Sequence, residues 1–383
     1  MITALQQQFV DLFHTAPKVY RSPGRINIIG EHTDYNQGFV LPAAIEQAAY
    51  VAISPREDNE LHLYAVSMQE MVVLQLHGLV PKAGAWSNYI AGVAEQFIRM
   101  GFTIKGFNLV LHSDVPIGAG LSSSAAIECA VAFALNECFD CALDRLQLVH
   151  LAQKAEHEFA GVQCGIMDQF ASMMSRRNHL IKLDCRSLEY EYIPFQLGSH
   201  TMVLFDTNVK HSLASTAYNN RRQQCEQGVQ WIAAQLPHIQ TLRDADMGML
   251  EQFVLPKDLL VYRRCTYVVK EIQRVEAACK ALKAGDLNKL GELMYETHAG
   301  LSCDYEVSCT ELDLLVDLVK ARPGVIGARM MGGGFGGCTL NLVEADRVDE
   351  LINSVQISYE RATNLPLNYY LVSAADGSGR VDH

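Results

Sequence analysis

The chain has 383 residues, 49% of them hydrophobic and 19% charged. That length allows two domains or one large one, and the apolar content excludes wholesale disorder. The formal charge of -12 argues against a protein that coats nucleic acid or anionic membrane. Any bound anion must therefore be held locally, by loop amides, helix N-termini, a few cations or a metal.

Residues 1–14 carry no basic run ahead of Phe9, Val10, Leu12 and Phe13, which predicts a short amphipathic helix rather than a secretion signal. An apolar strand over 26–29 has Asn27 as its one polar residue and is flanked by Gly24 and Gly30. Strands over 39–41, 50–53, 61–64, 71–76 and 107–112 follow, rich in Val, Leu and Phe with partial alternation. A helix over 88–100 stops at Gly101. Three more are predicted over 122–138, 143–159 and 165–174, the first strongly apolar. No run of about 18 apolar residues occurs, so no membrane span is expected.

Over 185–200 the pattern loosens. A boundary placed there divides the chain into domains 1–195 and 196–383. Beyond it, a strand over 202–206 precedes helices over 215–235, 259–284, 286–302 and 311–322. Two strands around a glycine loop, a helix over 345–363 and a strand over 369–373 close the chain. Two strands, a helix and a strand make half of a ferredoxin-like α+β sandwich. The 11 cysteines, an odd count without a pairing pattern, read as a reduced, cytoplasmic protein. The lone C-x-x-C, Cys138 and Cys141, has no second pair and sits at a helix end, so neither metal nor redox chemistry is assigned to it.

Three glycine-rich segments carry the chemistry. GRINIIGEHTDYN over 24–36 packs Arg25, Glu31, His32 and Asp34 into ten residues around the short strand, the last three just after it. Bunched hydrogen-bonding side chains of this kind suit one small polyhydroxylated molecule. VPIGAGLSSSAA over 115–126 is a glycine loop feeding a helix. Free amides and the positive end of the helix dipole make that an anion site, and a serine hydroxyl can also ligate Mg2+. A plain serine N-cap is the structural alternative. The loop lacks the third glycine of a dinucleotide fingerprint and the lysine of a P-loop. MGGGFGGC over 331–338 fits G-x-G-x-x-G in form, but a strand follows it instead of a helix. It suggests close approach to a ligand or to another loop.

Two acids stand apart. Asp168 lies between apolar neighbours at a helix start, where it is either a dipole partner or a base acting on a hydroxyl. Glu156 lies near a helix end, where a carboxylate opposes the dipole, and is a better metal-ligand candidate than Glu158.

Taken together, these segments resemble the galactokinases, a branch of the GHMP family of small-molecule kinases. The 24–36 block is similar to the galactokinase signature, 116–124 to the family's phosphate loop and 331–337 to its third motif. The resemblance implies a two-domain α+β fold, a mixed-sheet N-terminal domain and a ferredoxin-like sandwich, with the active site between them. It implies phosphoryl transfer from ATP to the anomeric C1 hydroxyl of α-D-galactose. Asp168 would be the base and Arg25 the cation beside it. Glu31, His32, Thr33, Asp34, Gly165 and Tyr218 would contact the sugar. Gly118, Ala119, Gly120, Leu121, Ser122, Ser123 and Ser124 would hold the triphosphate, and Ser124 with Glu156 the Mg2+. A cytoplasmic monomer working on small molecules, with neither nucleic acid nor membrane as partner, is expected. An N-acetylgalactosamine kinase and a catalytically silent galactose sensor are the other readings. The intact serine triplet and the presence of both Arg25 and Asp168 weigh against the sensor. Homoserine and mevalonate kinases lack the Glu-His-x-Asp block.

Overall fold

One 14-residue strand organises the first half of the molecule. The computed structural model describes residues 1–209 and 214–381. In chain order it opens with α1 (Ile2–Phe13), β1 (Lys18–Asn27), β2 (Phe39–Val40), β3 (Pro42–Pro55), β4 (Glu60–Ala65) and β5 (Glu70–Gln75). Then come α2 (Asn88–Arg99), β6 (Phe107–Ser113), α3 (Ser123–Cys138), α4 (Arg145–Ala155) and α5 (Met167–Met174). The long β3 pairs antiparallel with β1 on one side and β6 on the other. Ala, Val and Ile residues fill β3 and are buried along most of it, as both faces of a central strand require. The β1–β3 register shifts between Pro23 and Arg25. Such a bulge bends a strand and re-aims a side chain, and here the side chain is that of Arg25.

The middle of the chain supplies β7 (His179–Asp184), β8 (Tyr190–Pro194) and β9 (His200–Asp206), followed by α6 (Ala214–Ala233), α7 (Met247–Phe253), α8 (Leu259–Lys283), α9 (Leu287–Ala299) and α10 (Thr310–Lys320). Last are β10 (Val325–Met330), β11 (Cys338–Glu344), α11 (Val348–Thr363), β12 (Asn368–Val372) and β13 (Gly379–Arg380). Strands β2, β7 and β8 make a small antiparallel sheet. Strands β9 to β12 form a separate antiparallel sheet in the order β10-β11-β9-β12, the sandwich the C-terminal pattern predicts. The chain then returns: β13 pairs with β1, and the Ala375 amide donates to the Ala44 carbonyl at 2.9 Å.

Alternation along β9 joins the parts. Met202 and Leu204 belong to the large core that also holds Ile26, Leu340 and Met294. Val203 and Phe205 face the other way, into a core with Leu315, Val355 and Tyr359. A third cluster sits among α6, α7 and α8, around Cys225, Leu250 and Val268.

Sequence patterning located most of these elements and missed or shortened several, the two-residue β13 among them. Strand β1 begins at Lys18, well ahead of the short 26–29 segment. Strands β7 and β8 occupy or border the stretch where the pattern loosens; β8 is half exposed and lacks a buried face strong enough to show. The short α7 was not expected. All 11 cysteines are unbridged. Among the described residues, no helix is long and apolar enough to cross a membrane.

Candidate active site

The two halves enclose a cleft of about 420 Å³. On its floor the β1 bulge meets the glycine-serine loop. The Arg25 amide donates to the Leu121 carbonyl at 3.1 Å, and a Cβ added at Gly24 would lie 2.7 Å from that oxygen. Only glycine lets the loop ride so close to the strand. The Arg25 guanidinium points into the cleft. Nε donates to Asp168 Oδ1 and Nη2 to Oδ2, both at 2.8 Å, while Nη1 donates to the Gly120 carbonyl at 2.6 Å. Burial works against the charge on Arg25, but Asp168 and Glu31 outweigh it and hold the guanidinium above its ordinary pKa. Asp168, in the first turn of α5, also accepts a hydrogen bond from the Ser122 hydroxyl. That hydroxyl therefore does not cap α3; Ser122 itself adopts a left-handed conformation, with φ 59.

The polar block after β1 forms the opposite wall. Glu31 is buried, and its Oε1 accepts from Arg329 Nη2 at 2.8 Å and from the Gly332 amide at 2.9 Å. Burial alone would raise its pKa, yet Arg329 and Arg25 hold it below the usual range. His32 lines the cleft, its Nε2 without a hydrogen bond of good geometry within the protein, and burial pushes its pKa down to about 4. Asp34 is pushed up to about 7 by burial and by the negative charge of Asp168. Gly165 makes room for Asp34: an added Cβ would fall 1.9 Å from Oδ2. Tyr218, from α6, closes this side, its ring centroid 5.3 Å from that of His32.

Thr33 departs from expectation. Its hydroxyl lies against the Gly30 and Phe39 carbonyls at 2.9 and 2.6 Å, and the side chain is fully buried outside the cleft. It holds the loop's shape instead of facing a ligand. Ala119 and Leu121 are likewise buried in the core, so only their backbone can serve an anion. Ser123 does not line the cleft, whereas Gly118, Gly120, Ser122 and Ser124 do.

Ser124 donates to Glu156 Oε1 at 2.8 Å. Glu156 opens a π-helical turn, Glu156–Ala160, directly after α4, a distortion common at functional sites. Its Oε2 accepts from the Gln169 amide at 2.5 Å and from the Cys164 thiol at 3.4 Å. Burial raises its pKa, and Asp168 adds to the effect despite the bond from Ser124. A hydroxyl and a carboxylate beside a phosphate-type loop suit a hard cation such as Mg2+, which takes one or two carboxylates and completes its shell with phosphate and water. The donor set fits that ion.

Sequence reasoning missed Gln169 and Glu128. Glu128 is fully buried on α3, and burial, with Glu156 nearby, raises its pKa well above normal. Two signals were available. Gln169 follows Asp168 directly, and Glu128 is an acid in the apolar middle of α3, four residues after Ser124 and so on the same face.

The third glycine segment packs on the second. A Cβ at Gly332 would meet the Gly120 carbonyl at 3.2 Å, and one at Gly337 would meet Ala119 backbone at 3.2 Å. The β-strand following it, β11, excludes a dinucleotide-type loop.

Comparison with known proteins gives the family of the chain. Residues 88–176 match the family model "GHMP kinases N terminal domain", 278–361 match "GHMP kinases C terminal", and 7–55 match "Galactokinase galactose-binding signature". The chain is 43% identical over 363 residues to the galactokinase of Chloroflexus aggregans, covering 94% of this chain and 92% of that one. The chain belongs to the galactokinases of the GHMP kinase family. As galactokinases do, it phosphorylates galactose with ATP as phosphoryl donor. A galactokinase of Fusobacterium nucleatum aligns along the full length of both chains at 37% identity. The crystal structure of Lactococcus lactis galactokinase complexed with galactose superposes with a TM-score of 0.95 at 36% identity, over 99% of this chain and 100% of that one. Mevalonate kinase from Methanococcus jannaschii, at 15% identity and a TM-score of 0.69, shares the fold.

Proposed function

We propose that Asp168 is the group that takes the proton from the C1 hydroxyl of α-D-galactose, with Arg25 as the cation that favours the alkoxide and stabilises charge on the transferring phosphoryl group. The observation that carries this reading is the two-point Arg25–Asp168 pair at the junction of the sugar block and the serine loop. A sugar hydroxyl is a weak acid, so a carboxylate base needs a nearby cation to be effective. Asp168 already accepts from Arg25 and Ser122, and a carboxylate has lone pairs left for one more hydroxyl. Phosphoryl transfer asks a protein mainly to position reactants and to stabilise spread negative charge.

His32, Asp34, Glu31 and Tyr218, with Gly165 behind Asp34, contact the sugar in this reading. Carboxylates and an imidazole suit hydroxyls, and a site built to pair a particular hydroxyl rejects an epimer that leaves it unpaired. The backbone of 118–124 holds the triphosphate with the N-terminus of α3. Ser124 and Glu156 hold Mg2+, which when bound neutralises phosphate charge. One chain supplies both walls of the cleft, so the reading needs no second copy and fits a monomer. Unbridged cysteines support a reducing, cytoplasmic setting. The division into 1–195 and 196–383 stands in this reading, with β13 as a strand returned to the first domain.

A coupled ADP-release assay over galactose, glucose, N-acetylgalactosamine and 2-deoxygalactose tests it. Turnover confined to galactose and its 2-deoxy analogue is expected. Faster turnover of N-acetylgalactosamine than of galactose would contradict the pocket assignment. So would a galactose rate in Asp168→Asn equal to that of the parent.

A further inference from the structure

The polar block is tied to the helical part of the fold by a chain of side chains that the chemistry above does not use. His32 Nδ1 lies 2.8 Å from the Tyr35 hydroxyl. Tyr35 lies 2.7 Å from the Tyr305 hydroxyl, and Tyr305 3.2 Å from Cys225 Sγ. Tyr305 and Cys225 are fully buried. Tyr305 is held by the ring of Tyr267, centroids 4.7 Å apart, and Tyr267 in turn donates to the Glu31 carbonyl at 3.1 Å.

We propose that Tyr35 and Tyr305 act as positioning residues that fix the tautomer of His32, leaving Nδ1 bare and placing the proton on Nε2, where the imidazole donates to a galactose hydroxyl. The argument is one of proton counting. Each phenol has one proton to give. If Tyr35 donates to His32 Nδ1, its oxygen must accept from its other neighbour, so Tyr305 donates to Tyr35 and its own oxygen accepts from Cys225. The reverse order would have the imidazole donate to Tyr35 and end in a phenol donating to a thiol, a weak acceptor. A phenol is the better acid and an imidazole nitrogen the better base, so the first order contains the strongest bond of either set.

Three observations fit it. Burial keeps the His32 ring neutral at ordinary pH, and a neutral imidazole has one N–H, whose place is set by the partner of the other nitrogen. Nε2 makes no hydrogen bond of good geometry within the protein, and the Gly333 backbone, which interacts with the ring, lies with His32 on the cleft lining. The neighbours of His32 there, Glu31, Asp34 and Asp168, accept hydrogen bonds when ionised. A sugar hydroxyl both donates and accepts, so a wall of carboxylates is better matched with one N–H donor among them.

The inference rests on the reading of His32 as a sugar contact, and the test separates the two. Long-range 1H–15N correlation spectra report which ring nitrogen is protonated, with no sugar present; His32→Gln assigns the signal among the 13 histidines. The unsubstituted protein is expected to show a protonated Nε2 and a bare Nδ1. Tyr35→Phe should move His32 toward a mixture of tautomers and raise the galactose KM about 5-fold, the loss of one modest hydrogen bond. The KM for ATP should stay within about 2-fold. Tyr305→Phe, one step further off, should shift the His32 signals in the same direction with Tyr35 intact, and it serves should Tyr35→Phe fold poorly. A proton on Nδ1 in the unsubstituted protein, or spectra unmoved by both substitutions, overturns the proposal. A shifted tautomer with an unchanged galactose KM supports the hydrogen-bond chain and removes His32 from the sugar contacts.

Discussion

Arg25 and Asp168 meet as a two-point pair, Nε to Oδ1 and Nη2 to Oδ2, each at 2.8 Å. Two hydrogen bonds within the protein itself thus fix the orientation of the Asp168 carboxylate. Asp168→Asn keeps the shape and removes the base. Turnover should fall about 10²-fold or more, the usual contribution of a general base, with the galactose KM changed far less. Steady-state kinetics with saturating ATP decide it.

Arg25→Lys keeps the charge but cannot reproduce the fork that grips both oxygens. A drop in kcat larger than any rise in galactose KM is expected. If only KM rose, Arg25 would be a binding group.

Asp34 gives the protein a pH signature. Its carboxyl titrates near 7 in the folded state against an ordinary 3.8. Between those values the folded protein keeps a proton that the unfolded chain has released, so stability falls as pH rises through the window, by at most about 1.4 kcal/mol per pH unit. Asp34→Asn removes that term. Urea unfolding at pH 5 and pH 8 should show the variant gaining on the parent at pH 8 and losing the advantage at pH 5.

Arg329 is fully buried, donating to the Ile28 and Asn27 carbonyls and to Glu31. Arg329→Met strands the Glu31 charge and should cost about 3–5 kcal/mol. Adding Glu31→Gln should recover part of the loss, which chemical denaturation of the double variant measures.

Gly165→Ala sets a methyl 1.9 Å from Asp34 Oδ2, so the carboxylate must move. Displacement of a substrate-contacting group by about 1 Å can cost roughly 10²-fold. The loss should appear in kcat/KM for galactose and in calorimetric galactose affinity, with ATP affinity unchanged.

How much of this was legible beforehand differs by residue. Arg25, Asp168, Ser124 and Glu156 stood out through the resemblance of all the segments taken together; alone, Asp168 reads equally as a dipole partner and Ser124 as a helix cap. The three glycine segments announced themselves by composition, and the C-terminal sandwich by its order of strands and helix. Thr33 was misread because its neighbours are functional; nothing in the letters says that its hydroxyl turns inward to two carbonyls. Strand β8 was invisible since half of it faces solvent, and β13 since two residues make no pattern. Arg329 and Glu31 are 298 positions apart, a separation across which local periodicity carries no information.

The contact of Gly120 with Gly332 and of Ala119 with Gly337 is one seam between the two halves that is made by main chain. Side chains can adjust by changing rotamer; main chain packed on main chain has no such freedom. The height of the serine loop above the third glycine segment is therefore set by the backbone itself, and adjustment to a ligand is left to the side chains around this seam, Tyr218 beside Gly333 among them.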